Sequence, residues 1–184
     1  MIKLSARPLL TVAYICAGTA FSLHAQNVAW RTNCYTVTGA TMHEIRQSMG
    51  RARPFPENFD GLTTWNVNWQ FSSSETAEGC RCTSFSTKIS ITTFLPRWSP
   101  SAEASPRTKE QWTKFVNALA DHELGHARIA LAAAEEVRKQ AVLITSAPSC
   151  QVLKEKLNSS AERVLDAHRQ REKEYDRRTN HGVQ

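Results

Sequence analysis

The chain has 184 residues, 23 Lys and Arg against 17 Asp and Glu, and a formal net charge of +6. That length suits one compact domain with its own core. The basic excess gathers near the C-terminus, where Arg169, Arg171, Lys173, Arg177 and Arg178 alternate with Glu172, Glu174 and Asp176 as on a solvated helix face; no basic patch with interleaved aromatics appears, which excludes a nucleic-acid partner.

The first residues read as an export signal. Lys3 and Arg7 form a positive head, Leu9 to Leu23 a mostly apolar run, and Ala25 a small residue at the cleavage edge. The run is too short for a comfortable membrane span, and Cys16 lacks the small-residue setting of a lipid anchor. Residues 1–25 are therefore expected to be a signal peptide and 26–184 a single domain. The product is expected to be exported, periplasmic or secreted, with no stable span after cleavage.

Cys34 to Thr38 alternates and ends at Gly39, which predicts a short strand and turn. Thr41 and Glu44 then make a capping box for a helix running towards Met49, and Pro54 and Pro56 stop it. Trp65, Val67, Trp69 and Phe71 recur at every second position, the clearest strand in the chain. Ser72 to Gly79 reads as a polar turn, and a second strand runs from Cys80 to about Leu95, ended by Pro96. Ser105 and Pro106 open a long helix. On it Trp112, Phe115, Leu119, His122, His126 and Ile129 share one side. Ser146 to Ser149 breaks the pattern, and a further helix covers about 151–178. Sheet first and helices second predicts an α+β fold, a small antiparallel sheet followed by a long two-helix hairpin.

Four cysteines remain after residue 25: Cys34, Cys80, Cys82 and Cys150. An even count in an exported chain points to disulfides. Cys80 and Cys82 share a strand face and are poorly placed to bond each other. Each is expected to reach Cys34 or Cys150, in either arrangement.

His122-Glu123-Leu124-Gly125-His126 places two imidazoles four residues apart in a predicted helix, so both can reach one metal ion. Glu123 is turned by about a hundred degrees and stays beside the ion, where it can take a proton from the attacking water as general base. Two imidazoles plus a third donor, with one position left open, is the set that suits catalytic Zn2+. If the helices form an antiparallel hairpin, Leu124 faces roughly residue 172. His168, Glu172 and Asp176 then lie within about a turn of that level.

The chain resembles a bacterial family of predicted secreted zinc-dependent proteases, catalogued as domain of unknown function 922. The matching stretches are Tyr35-Thr36-Val37-Thr38-Gly39, the Trp65–Phe71 strand, Leu95-Pro96-Arg97-Trp98, the HExxH pentad, and Tyr175-Asp176 with Thr179 and His181-Gly182. The resemblance implies a zincin-like fold and a metalloprotease activity. It also moves the third zinc ligand to the C-terminal motif: His181 first, with Asp176 and His168 as alternatives. Tyr175 becomes a candidate oxyanion donor, with simple core packing as its alternative.

The expected activity is a zinc metallopeptidase acting on a peptide or protein substrate, with Glu123 as general base. Two rivals are a zinc amidase acting on cell-wall peptides and a non-catalytic envelope interaction module. Oligomeric state is not legible.

Overall fold

The computed structural model describes residues 27–55 and 58–180. The expected signal peptide, residues 1–25, and His181 lie outside the described residues. The elements in chain order are β1 (Asn27–Gly39), α1 (Met42–Ala52), β2 (Leu62–Thr76), β3 (Gly79–Pro100), α2 (Pro106–Val142), β4 (Ser146–Ala147) and α3 (Cys150–Thr179). The class is α+β, as the order of patterns predicts. No helix among the described residues is long and apolar enough to cross a membrane.

The sheet is mixed, a correction to the antiparallel expectation. Its order is β1-β3-β2, with β4 added to β3 at Cys80 and Arg81. β2 and β3 form a hairpin, and β3 inserts between β2 and β1. A strand two reversals after β1 runs parallel to it, pairing Cys34 with Leu95, while β2 pairs antiparallel, Trp65 opposite Ile91.

Three boundaries also differ from expectation. β1 begins seven residues before Cys34, because Val28 and Trp30 continue the alternation and pack on the main core. The polar stretch Ser72–Gly79 is mostly strand: its serines pair across the hairpin, and Thr76 meets Gly79 around a two-residue turn, with Gly79 at φ 133°. β3 continues through Pro96 to Pro100. Beyond Phe94, which pairs with Leu62, β2 no longer covers β3, and a residue without an N–H is tolerated at such an edge.

The helix starts follow their capping chemistry. Thr41 and Glu44 form the reciprocal capping box of α1. Ser105 caps α2 with Pro106 in its first turn, and Ser149 caps α3 by accepting from Val152 N.

α2 and α3 pack on one face of the sheet. Val67, Ile89 and Ile91 meet Ala127, Ala130, Ala133, Ala134 and Val137 of α2, and Ala161 and Leu165 of α3. The alanines let backbone approach backbone closely. Trp65 and Trp69 are tied to α3 as well, donating to Glu172 at 2.7 Å and to Asn158 at 2.9 Å. A second cluster joins Tyr35 and Val37 of β1 to Ile45 and Met49 of α1 and Trp112 of α2.

Cys80 and Cys150 form a disulfide that ties the start of β3 to the first residue of α3. Cys82 is a free thiol, which corrects the expectation that it too is bridged. Cys34 cannot serve it: Cys34 stands opposite Leu95, thirteen residues along β3 from Cys82. At strand rise that is about 40 Å, far beyond disulfide reach.

Candidate metal centre

The pentad lies in the middle of α2, and all three of its polar residues are buried: His122 at 6 %, Glu123 at 4 % and His126 at 8 % exposure. Antiparallel packing of α3 brings Glu172, Tyr175, Asp176 and Thr179 to the same level. The hairpin estimate from equal helical rise is therefore met to within about one turn: Glu172 reaches His126, and Tyr175 and Thr179 reach His122.

Hydrogen bonds fix which nitrogen of each imidazole faces inward. Thr179 Oγ1 donates to the Tyr175 carbonyl at 2.7 Å, so toward His122 Nδ1, at 3.1 Å, it is an acceptor. His126 Nδ1 lies 3.3 Å from Glu172 Oε1, and an ionised carboxylate only accepts. Both Nδ1 atoms therefore carry the proton, and both Nε2 atoms present lone pairs. Those two nitrogens are 3.2 Å apart, and Asp176 Oδ1 lies 3.2 Å from one and 2.9 Å from the other. With both imidazoles neutral, three electron-pair donors thus face one another.

Such a cluster needs a cation. His122, His126 and Asp176 can hold a metal ion, with one donor atom from each within 4.8 Å of the others. Without a metal, a proton is the substitute. Burial disfavours an imidazolium at His126, but the bond to Glu172 and the charges of Asp176, Glu123 and Glu172 outweigh it and raise its pKa.

Glu123 points to the other side, toward the start of β2. Thr63 hydrogen-bonds its carboxylate, while Oε2 has no hydrogen-bond partner among the described residues. Burial pushes its pKa up to about 7, and a cation at the neighbouring cluster favours the charged form. Gly61 sets the clearance. A Cβ there would come within 2.7 Å of Glu123 Oε1, so a side chain at this position would displace the carboxylate. The loop carrying Gly61 is pinned on three sides. Tyr35 donates to the Asp60 carbonyl at 2.6 Å, Arg46 pairs with the Asp60 carboxylate at 3.0 Å, and Arg53 donates to the Phe59 carbonyl at 3.1 Å.

The cluster opens into a cleft of about 820 Å³, with Asn58 to Thr63 on one side and Arg169, Glu172, Lys173 and Asp176 of α3 on the other. Of the expected site residues, the structure gathers His122, Glu123, His126 and Asp176. His168 is about two turns before Asp176, buried, with its Nε2 accepting from Arg171 at 3.0 Å, and it is not in the cluster. Tyr175 stacks on His122 with centroids 5.0 Å apart, donates to the His122 carbonyl at 3.3 Å, and does not line the cleft.

Four residues that serve the site carried little or no signal of their own. Glu172 falls at the right helical level, one turn before Asp176, and is the only one of them that spacing could nominate. Thr179 could be found only through the C-terminal motif. Gly61 and Thr63 come from the far side of the fold, and nothing local marks them.

No curated protein and no solved structure matches the chain. Residues 32–182, which include both imidazoles, Glu123 and Asp176, match a bacterial family described as protein of unknown function, DUF922, and the chain belongs to that family.

Proposed function

We propose that the protein is an exported zinc-dependent hydrolase that cleaves peptide bonds. The observation that carries this reading is the convergence of His122 Nε2, His126 Nε2 and Asp176 Oδ1 at the base of an open cleft, with a buried carboxylate beside them. Two neutral imidazoles and one carboxylate form a donor set that zinc takes in hydrolytic sites. Zinc bound there supplies Lewis acidity and lowers the pKa of water in the cleft.

Glu123 is the general base. It is not among the three donors, it lines the cleft, and its free Oε2 can take a proton from the attacking water and return it to the leaving amine. Glu172 and Thr179 hold the two rings by their Nδ1 protons. β2 is an edge strand whose first residues, Leu62 and Thr63, line the cleft, so an extended peptide can add to it as a further strand. Tyr175 serves packing in this scheme, its hydroxyl being held by the His122 carbonyl. The Cys80–Cys150 disulfide is at home in an oxidising, exported setting.

The test is hydrolysis of unfolded protein, short peptides and peptidoglycan fragments by the zinc-loaded mature protein, wild type beside Glu123→Gln. The reading predicts peptide cleavage that a chelator abolishes. The variant should keep its zinc and lose activity by roughly a hundredfold or more. Cleavage confined to peptidoglycan would reassign the enzyme as a cell-wall amidase. Zinc binding with no hydrolysis of any substrate would favour a non-catalytic module.

A further inference from the structure

The α3 rim of the cleft carries a stripe of cations at helical spacing: Arg169, Lys173 and Arg177, each one turn from the next. Arg169 is paired with Asp166 at 2.8 Å and Arg177 with Glu174 at 3.5 Å. Lys173 has no carboxylate partner among the described residues. It lines both the main cleft and an adjoining depression formed with Asp176, Arg177 and Asn180.

No carboxylate of the cleft among the described residues pairs with it. Asp60 is held by Arg46, Glu172 by Trp65 and His126, and Asp166 by Arg169. Asp176 faces the two imidazoles. Lys173 thus reaches the cleft with its ammonium outside any ion pair among the described residues, facing the space a substrate occupies.

We propose that Lys173 binds a substrate carboxylate beside the scissile bond, so that the cleft selects peptides carrying an acidic side chain or a free C-terminal carboxylate there. The inference rests on the hydrolase reading above. Three helical residues, about 4.5 Å of rise, separate Lys173 from Asp176 along the rim, while an extended peptide advances about 3.3 Å per residue. The recognised carboxylate therefore belongs one or two residues from the bond that is cut.

The experiment measures binding, by fluorescence anisotropy, of labelled peptides to zinc-loaded Glu123→Gln protein, which holds substrate without cutting it. Three peptides share one sequence: glutamate with an amidated end, glutamine with a free carboxylate, and glutamine with an amidated end. At least one carboxylate peptide should bind roughly fivefold tighter than the neutral one. Which of them does so separates side-chain from C-terminal recognition. The advantage should shrink in salt, vanish when Lys173→Glu is added, and survive Lys173→Arg. Equal binding of all three peptides, or an advantage that persists with Lys173→Glu, overturns the proposal. Carboxylate-dependent binding that Lys173→Glu removes, with no cleavage by the wild type, would sink the hydrolase reading and leave the carboxylate site standing.

Discussion

Glu172 joins Trp65 to His126: one carboxylate oxygen accepts from the indole Nε1 at 2.7 Å and faces His126 Nδ1 at 3.3 Å. A β2 side chain thereby steadies an α3 carboxylate, which steadies an α2 imidazole. Removing the carboxylate frees the ring to turn and to change tautomer. Glu172→Ala is expected to weaken zinc binding about 10- to 100-fold. Glu172→Gln, which keeps an acceptor but not the charge, should lose less. Zinc affinity from competition with a chromogenic chelator checks the order.

Gly61 predicts a different defect. The nearest atoms that the Cβ of Gly61→Ala would meet all belong to the Glu123 side chain. The metal donors are on the other side of Glu123 and should be unaffected. The variant is expected to bind zinc like the wild type and to lose turnover. Metal content and rate, measured on the same sample, separate this from general unfolding.

Gly125 lies under the Tyr175 ring, and a Cβ there would collide with the ring and its hydroxyl. Gly125→Ala must push Tyr175 away, and Asp176 and Thr179 move with it. About 1–3 kcal/mol of stability should be lost, in the range of overpacking, together with weaker zinc binding. Thermal unfolding with and without zinc will show both effects. Gly125→Ala combined with Tyr175→Phe should not recover fully, because ring atoms as well as the hydroxyl meet the added carbon.

The disulfide closes a long loop, Cys80 and Cys150 being separated by 70 positions in the sequence. Replacing both cysteines by serine should cost up to about 4 kcal/mol by the loop-entropy relation. The metal donors are all on α2 and on the part of α3 distant from Cys150. Zinc affinity in the folded variant should therefore be unchanged. Denaturant unfolding beside zinc titration tests the separation.

Local chemistry made much of the fold legible. Capping residues marked the starts of α1 and α2, the break at Ser146–Ser149 marked that of α3, and the alternation of Trp65 to Phe71 marked β2. The long-range choices were not legible, because they depend on which strand wins a place beside another. Nothing in β1 says that it pairs with β3 and not β2, and so nothing says that the sheet is mixed. Serines at 72–74 look like a turn until a partner strand satisfies their backbone. At the site, one helical turn between His122 and His126 is written in the spacing. Asp176 could be narrowed to a neighbourhood by counting helical rise along two antiparallel helices. Gly61 and Thr63 reach Glu123 only after the sheet has folded against α2, and no spacing rule connects them.

Zinc titration of the metal-free mature protein, wild type beside Asp176→Ala, tests the central claim most directly. The account predicts one ion per wild-type chain and an affinity at least a hundredfold lower once the Asp176 oxygen is gone. Equal affinity and stoichiometry in the two proteins would contradict it, since the ion would then be held without the donor that completes the cluster.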